Sequence, residues 1–177
     1  MSSILCLVLL LGLPLGLQAQ QSEMAAGLNM GISSQPEEKE FQTTGQTVDL
    51  YFDYASMRVG YNRAESYLNT NFYDHSWAIK LKSESYYGAW RFGERQGTHA
   101  YGLLGATYQV NTLSLTNGIP TMRTQDYGWL TGAGFLFDLG RVFVGLQWTL
   151  ISGKSSFEDL ALATGSSQVQ LSTSVPF

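Results

Sequence analysis

The C-terminal segment alternates between apolar and polar residues with a period of two. Counted back from the last residue, its apolar positions include Phe177, Val175, Leu171 and Val169, and the residues between the apolar positions are mainly serine and glutamine. Successive side chains of a strand point to opposite faces, so this segment is predicted to be a strand with one apolar and one polar face. Such a strand lies between two different environments, and this condition limits the folds open to the chain.

The same period recurs along the chain. Four more segments alternate strictly, at residues 24–33, 48–54, 127–139 and 142–150. Three others, at residues 57–62, 77–92 and 100–110, are strand-like, but the apolar parity changes between Tyr54 and Met57 and again between Leu81 and Tyr86. The first change is interpreted as a short turn, since a one-residue shift moves every side chain to the other face. The second predicts either one long strand with a bulge or two shorter pieces.

The connections between these segments alternate in length. Short turns are predicted near residues 55, 95 and 140, longer polar intervals at 35–46, 112–126 and 153–166, and an intermediate one at 69–74. Eight strands joined in this way are typical of an up-and-down barrel with short periplasmic turns and long outer loops. The predicted fold class is therefore all-β, an eight-stranded antiparallel up-and-down transmembrane β-barrel.

The composition favours lipid outside this barrel. Charged residues make up 14% of the chain, against about 25% in an average soluble domain. No segment has the apolar spacing of an amphipathic helix that would cover the apolar strand faces. Lipid covers them without a protein partner, and closure removes the sheet edges. Aromatic residues near strand ends are predicted to form two interfacial girdles: Tyr54, Tyr61, Trp77, Trp90, Phe92, Tyr127, Trp129 and Phe177. A soluble barrel, in which they merely favour strands, is the alternative.

An apolar segment precedes the strands. It runs from Ile4 to Leu17 and contains Pro14, and it is shorter than the roughly 20 residues of a membrane-spanning helix. With Ala19 after it, the segment predicts a secretory signal peptide at residues 1–19, cleaved to leave a barrel domain at residues 20–177. An anchoring N-terminal helix is the alternative. Cleavage removes Cys6, the only cysteine, so no disulfide or thiol chemistry is expected in the mature chain.

Two segments resemble the small outer-membrane β-barrels of the OmpA/OmpX-like kind. They are the glycine-rich Tyr101–Tyr108 and the terminal Ser167–Phe177, and the resemblance extends over most of the mature chain. It implies a place in the Gram-negative outer membrane, with outer-membrane lipid and lipopolysaccharide as partners. In that family, a terminal aromatic residue after alternating apolar residues is the signal for the barrel-assembly machinery. The resemblance implies this role for Val169, Leu171, Val175 and Phe177, although Pro176 stands where the family often has a polar residue.

Charged residues within the strand segments are candidates for the barrel interior. They are Asp49, Asp53, Arg58, Lys80, Lys82, Glu84 and Arg91. Isolated charges in a narrow lumen are costly, so these groups are expected to pair. Eight strands enclose room for side chains only, and an ion-paired plug is therefore predicted. A narrow or gated pore is the alternative.

The sequence offers little other chemistry. The net charge of −4 gives no reason to expect nucleic acid, and two distant histidines without a mature cysteine predict no metal site or cofactor. The one catalytic candidate is Asp74-His75-Ser76, at the predicted outer rim, where lipid A-modifying barrel enzymes keep their catalytic groups. Adjacent strand residues diverge, however, which disfavours a His–Ser pair.

These observations favour a non-enzymatic outer-membrane barrel. Its expected role is structural, or consists of contacts made through the outer loops with a ligand that the sequence does not identify. A pore, a lipid A-modifying enzyme and a secreted lipocalin-like barrel are the alternatives, and the last of these requires an apolar interior.

Overall fold

The computed structural model describes residues 24–34, 44–72, 75–94, 96–115, 122–157, 160–163 and 165–177. The signal peptide predicted at residues 1–19 lies outside these ranges. The strands are β1 (Met24–Ser34), β2 (Thr44–Tyr54), β3 (Met57–Phe72), β4 (His75–Gly93), β5 (His99–Leu115), β6 (Met122–Asp138), β7 (Phe143–Ile151), β8 (Lys154–Phe157), β9 (Leu160–Ala163) and β10 (Ser166–Pro176). Among the described residues there is no helix that is long and apolar enough to cross a membrane.

Eight of these strands form a closed barrel. Their order is β1-β10-β7-β6-β5-β4-β3-β2, and every neighbouring pair is antiparallel. A row of paired positions that leaves β1 at Met24 passes through the other strands and returns to β1 at Ser34, ten residues further along. This stagger tilts the strands relative to the barrel axis. The predicted eight-stranded up-and-down barrel is confirmed.

Three short turns lie at one end of the barrel, called here the turn end. The first is Ala55 and Ser56 between β2 and β3, so the first change of apolar parity is a turn, as interpreted. The second joins Gly93 to His99, and the third joins β6 to β7 through Gly140, which has a φ of 87°. This left-handed backbone favours glycine. The opposite end, called the loop end, carries the remaining connections between barrel strands.

The long strand β4 has no bulge. It pairs continuously with β3 from Trp90 opposite Met57 to His75 opposite Phe72, and its pairing with β5 is equally unbroken. The second change of apolar parity, between Leu81 and Tyr86, therefore has neither of the predicted causes. It reflects a change of surroundings along one regular strand, described below.

Four neighbouring strands extend beyond the others at the loop end. β3, β4, β5 and β6 have 16, 19, 17 and 17 residues, whereas the other barrel strands have 9 to 11. The intervals predicted as connections at 69–74 and 112–126 are therefore largely strand. The interval predicted at 153–166 contains the two-stranded hairpin of β8 and β9.

The two faces of the barrel wall differ sharply in polarity. Outward side chains such as Leu50 and Leu146 are 52% and 60% exposed, while their inward neighbours Asp49 and Gln147 are buried. Most of the buried residues are polar, and they include asparagine, glutamine, serine and threonine on seven of the eight barrel strands. A water-soluble barrel that binds an apolar ligand requires the reverse arrangement, so the lipocalin-like alternative is contradicted by this interior.

Candidate functional site: the filled lumen and the outer rim

Arg58 reaches across the lumen near the turn end. Its side chain projects inward from β3 and is fully buried. Nε and Nη2 donate to the Asp53 carboxylate at 2.7 and 2.9 Å, and Nη1 donates to Oε1 of Gln147 at 2.7 Å. Three strands separate β3 from β7 in either direction around the barrel, so the bond to Gln147 crosses the whole lumen. The guanidinium also lies 3.7 Å from the ring centroid of Tyr51, a cation–π contact that fixes it further.

A second arginine lies beside this pair. Nε of Arg91 is 3.6 Å from the Asp53 carboxylate, and Nη2 is 2.8 Å from Nε2 of His99. A guanidinium can only donate, so Nε2 of His99 accepts and its Nδ1–H donates to the Gly97 carbonyl at 2.7 Å. This hydrogen bonding assigns a neutral imidazole to His99. The turn end of the lumen is therefore filled by a compact ionic layer.

Asp49 is held by neutral donors. Its carboxylate accepts from Nδ2 of Asn29 at 2.7 Å and from the Tyr87 hydroxyl at 3.0 Å. With Asp53, Arg58 and Arg91, the buried charged side chains among the described residues are thus two carboxylates and two guanidinium groups. Their formal charges balance, which is the condition for burying them in a space without bulk water.

Nearer the loop end, amides replace the charges. Asn62 and Gln168 exchange amide hydrogen bonds of 2.9 and 3.1 Å, and Gln170 donates to Gln168 at 3.1 Å. Thr47 donates to the same Gln168 oxygen at 3.1 Å. The side chains of β2, β3 and β10 therefore meet inside the barrel, and this neutral layer lies above the ionic one.

The structure separates the seven charges predicted for the lumen. Asp49, Asp53, Arg58 and Arg91 lie in the interior, whereas the other three require correction. Lys80, Lys82 and Glu84 are on the outward face of β4, with side chains 33%, 29% and 24% exposed. Leu81 between them is buried on the inward side. This part of β4 lies nearer the loop end than Tyr86, where the outward face carries charged side chains in place of the large apolar ones found nearer the turn end.

The outward pairs of β3 and β4 show where the outward face changes from apolar to charged. From the turn end upward, Val59 is opposite Gly88, Tyr61 is opposite Tyr86, and charged pairs follow. The tyrosine pair continues across β5 and β6 as Tyr108 and Tyr127, with centroid distances of 5.2 Å for Tyr61–Tyr86 and 5.3 Å for Tyr108–Tyr127. An apolar band limited by aromatic residues and then by charges is typical of a strand crossing a membrane interface.

The charged ladder lies directly above these tyrosines. It consists of six outward side chains on β3, β4 and β6: Arg63, Glu65, Lys80, Lys82, Glu84 and Arg123. Glu65 accepts from Arg63 and lies 2.9 Å from Nζ of Lys80, while Lys82 and Glu84 form another pair at 2.9 Å. Hydrogen bonds from Arg63 and then Lys80 hold the pKa of Glu65, which lies beyond the apolar band, below its ordinary value. The carboxylate is therefore ionised at neutral pH.

Comparison with known proteins identifies the fold. No family model matches the sequence, and no curated protein matches it. Among solved structures, Neisserial surface protein A (NspA) is similar with a TM-score of 0.63 and 12% identity, over 88% of this chain and 98% of that one. The chain has the fold of the small outer-membrane eight-stranded barrels. Ail of Yersinia pestis, in complex with the heparin analogue sucrose octasulfate, gives a TM-score of 0.51 and 16% identity, over 89% and 100% of the two chains.

In this small outer-membrane barrel fold, the C-terminal strand closes the sheet against β1. Val169, Leu171 and Phe177 are outward and exposed, and Val175 is partly covered. The ring centroids of Phe177 and Phe52 are 6.0 Å apart, and the backbone N–H of Phe177 donates to the Met24 carbonyl at 3.1 Å. The four residues thus share the outward face of the C-terminal strand, along which Val169 lies towards the loop end and Phe177 at the turn end, and their role in assembly stays a prediction.

Three inward tyrosines of the barrel were not identified from the sequence. Each ring lies over a glycine on a neighbouring strand. A Cβ added at Gly27 would be 2.1 Å from the Tyr51 ring, and one added at Gly134 would be 2.3 Å from the Tyr101 ring. The Tyr87 ring covers Gly60 in the same way. An inward tyrosine facing a glycine is a usable signal, but it needs the strand register, which the sequence alone does not supply.

The catalytic candidate of the sequence lies outside the described residues. This holds for Asp74 and for the side chains of His75 and Ser76. Within the described ranges, no group of three or more His, Cys, Asp or Glu residues is arranged to hold a metal ion.

Proposed function

We propose that this chain is a non-enzymatic outer-membrane protein with a closed lumen, which acts as a structural barrel or through contacts made at its outer end. The hydrogen bond from Arg58 to Gln147 across the lumen carries this proposal, because it joins opposite walls in a charge-balanced interior. The apolar outward band supports a lipid environment. The filled lumen argues against the pore alternative, since ions need a continuous hydrated path.

The biogenesis proposed for the chain follows from its sequence. Residues 1–19 direct export and are removed, and Val169, Leu171, Val175 and Phe177 are the signal for the barrel-assembly machinery. The mature barrel then lies among outer-membrane lipid and lipopolysaccharide. This order of events is supported by the family resemblance of the C-terminal segment, whose apolar residues lie on the outward face of the barrel wall.

The loop end is proposed to face the cell exterior. It carries the projecting part of β3–β6 and the β8–β9 hairpin, which together present far more polypeptide than the three turns. An epitope inserted between β8 and β9 is therefore expected to bind antibody on intact cells. The same epitope inserted at Gly140 in the β6–β7 turn should bind only after the outer membrane is permeabilised.

The pair of insertions makes the test of this topology decisive. Both lie in connections of the same chain, so differences in expression are checked by total epitope on a denaturing gel. Surface labelling of the Gly140 insertion, with none at the β8–β9 connection, would contradict a role through the loop end.

A further inference from the structure

The outward wall of β1–β4 contains an open groove within the apolar band. Its volume is about 690 Å³, and the outward residues that line it are Ala26, Leu50, Phe52, Val59 and Tyr86. Gly88 adjoins it opposite Val59, and a Cβ added at Gly88 would meet no atom within 4 Å. The groove is shallow and open, and the free space over Gly88 lies beside its Val59 wall. Its shape and polarity suit a hydrocarbon chain.

The charged ladder lies immediately above this groove, on two of the same strands. Arg63 follows Val59 and Tyr61 along the outward face of β3, while Lys80 and Lys82 continue the outward face of β4 above Tyr86. Arg123 extends the row, because it pairs with Thr112, which pairs with Lys82. Four cations and two carboxylates leave a formal surplus of two positive charges in a chain whose net charge is −4.

On the described barrel strands, the outward charged side chains lie only on β3, β4 and β6. In the row of paired positions that contains Lys82 and Glu65, the outward residues on β2, β1 and β10 are Gln46, Ile32 and Val169, which carry no charge. Solubility alone does not require such a distribution. An anionic group at headgroup depth is attracted to the side with the cations and finds the apolar groove directly below it.

We propose that the groove and the charged ladder form a single site for a phosphorylated, acylated lipid of the outer leaflet. One acyl chain lies in the groove over Gly88, and the phosphate accepts hydrogen bonds from Arg63, Lys80 and Lys82. Tyr61 and Tyr86 separate the two parts at the level of the interface. This inference rests on the proposed outer-membrane function, because the groove faces acyl chains only when the barrel spans the membrane.

Lipid binding is tested with the full barrel in phosphatidylcholine nanodiscs, with lipid A carrying two phosphates as the probe. Each cation near an anionic lipid surface contributes about fivefold to affinity. The triple variant Arg63→Gln, Lys80→Gln, Lys82→Gln is therefore expected to lose at least tenfold in affinity. The double variant Glu65→Gln, Glu84→Gln should gain severalfold, because it releases cations that the carboxylates now hold. If the ladder had only a structural role, the two variants would not change lipid A affinity in opposite directions.

The contribution of the groove and the source of the phosphate are tested in two separate experiments. Gly88→Phe places a ring beside the Val59 wall of the groove without changing charge, and it is expected to weaken lipid A binding while the ladder stays intact. Inorganic phosphate at the same concentration should fail to displace the lipid, because it lacks the acyl chain. Displacement by inorganic phosphate, with no effect of Gly88→Phe, would overturn the combined site.

Arg141→Gln is the control for loss of one exposed cation, since Arg141 lies in the β6–β7 turn at the end of the barrel opposite the ladder. It should bind lipid A as the unmodified protein does. A triple variant that folds and binds equally well overturns the lipid site but leaves the proposed function standing. Failure of the unmodified barrel to enter the bilayer would instead overturn the proposed function.

Discussion

Replacement of Leu104 by arginine is expected to destabilise the barrel in a bilayer by about 2–4 kcal/mol. Leu104 is 51% exposed on the outward face of β5, four positions below Tyr108 of the tyrosine row and well inside the apolar band. An arginine there must enter hydrocarbon or distort the bilayer. In water the same exposed position would tolerate the change within about 0.5 kcal/mol. The measurement is the free energy of unfolding by urea in phospholipid vesicles.

Gln125→Arg provides the matched control. It adds the same charge on the same face of the neighbouring strand β6, but above Tyr127 and outside the apolar band. Its expected effect is small. Equal, small effects of the two substitutions would mean that the outward face meets water along its whole height, as in a soluble barrel.

Removal of the Arg58 side chain has the second large expected effect. Arg58→Ala removes two bonds to Asp53, the bond to Gln147 and the stacking on Tyr51. Breaking a buried ion pair on one side costs about 3–5 kcal/mol, because a charge is left without its partner. Arg91 remains 3.6 Å from Asp53, which places the expected loss at the lower end of that range. Urea unfolding in vesicles measures it.

Conductance separates the stabilising role of Arg58 from its blocking role. The unmodified barrel is expected to remain closed in planar bilayers, and Arg58→Ala is expected to produce small conductance steps. Adding Asp53→Asn should recover part of the stability, since it removes the stranded charge, without closing the lumen again. An Arg58→Ala variant that is as stable and as closed as the unmodified protein would refute the plug.

The barrel could be predicted because most strands keep one apolar outward face and one polar inward face along their whole length. From Phe177 back to Val169, and again along β7, apolar side chains meet the outside and polar ones the interior, so alternation alone defines strand and face. The prediction failed on β4, where Lys80, Lys82 and Glu84 were placed inside. That strand leaves the apolar band above Tyr86. Charged side chains there lie on the outward face instead of the inward face, although the backbone register does not change.

The contacts within the lumen could not be predicted from the sequence. Parity alone places Asp53 and Arg58 inside, but Gln147 meets Arg58 only because of the ten-residue stagger of the closed sheet. The tyrosine row likewise depends on three pairwise registers that bring Tyr61, Tyr86, Tyr108 and Tyr127 side by side. Register is a property of the whole barrel, and short-range patterns specify it only weakly.

Outer-membrane fractionation combined with heat-modifiable migration is the most direct test of the central claim. The expressed protein is expected in the outer-membrane fraction, and its unboiled form should migrate differently on a detergent gel from the boiled form, because the closed barrel resists detergent until it is heated. Recovery as a soluble periplasmic protein, with the same mobility before and after boiling, would contradict the account.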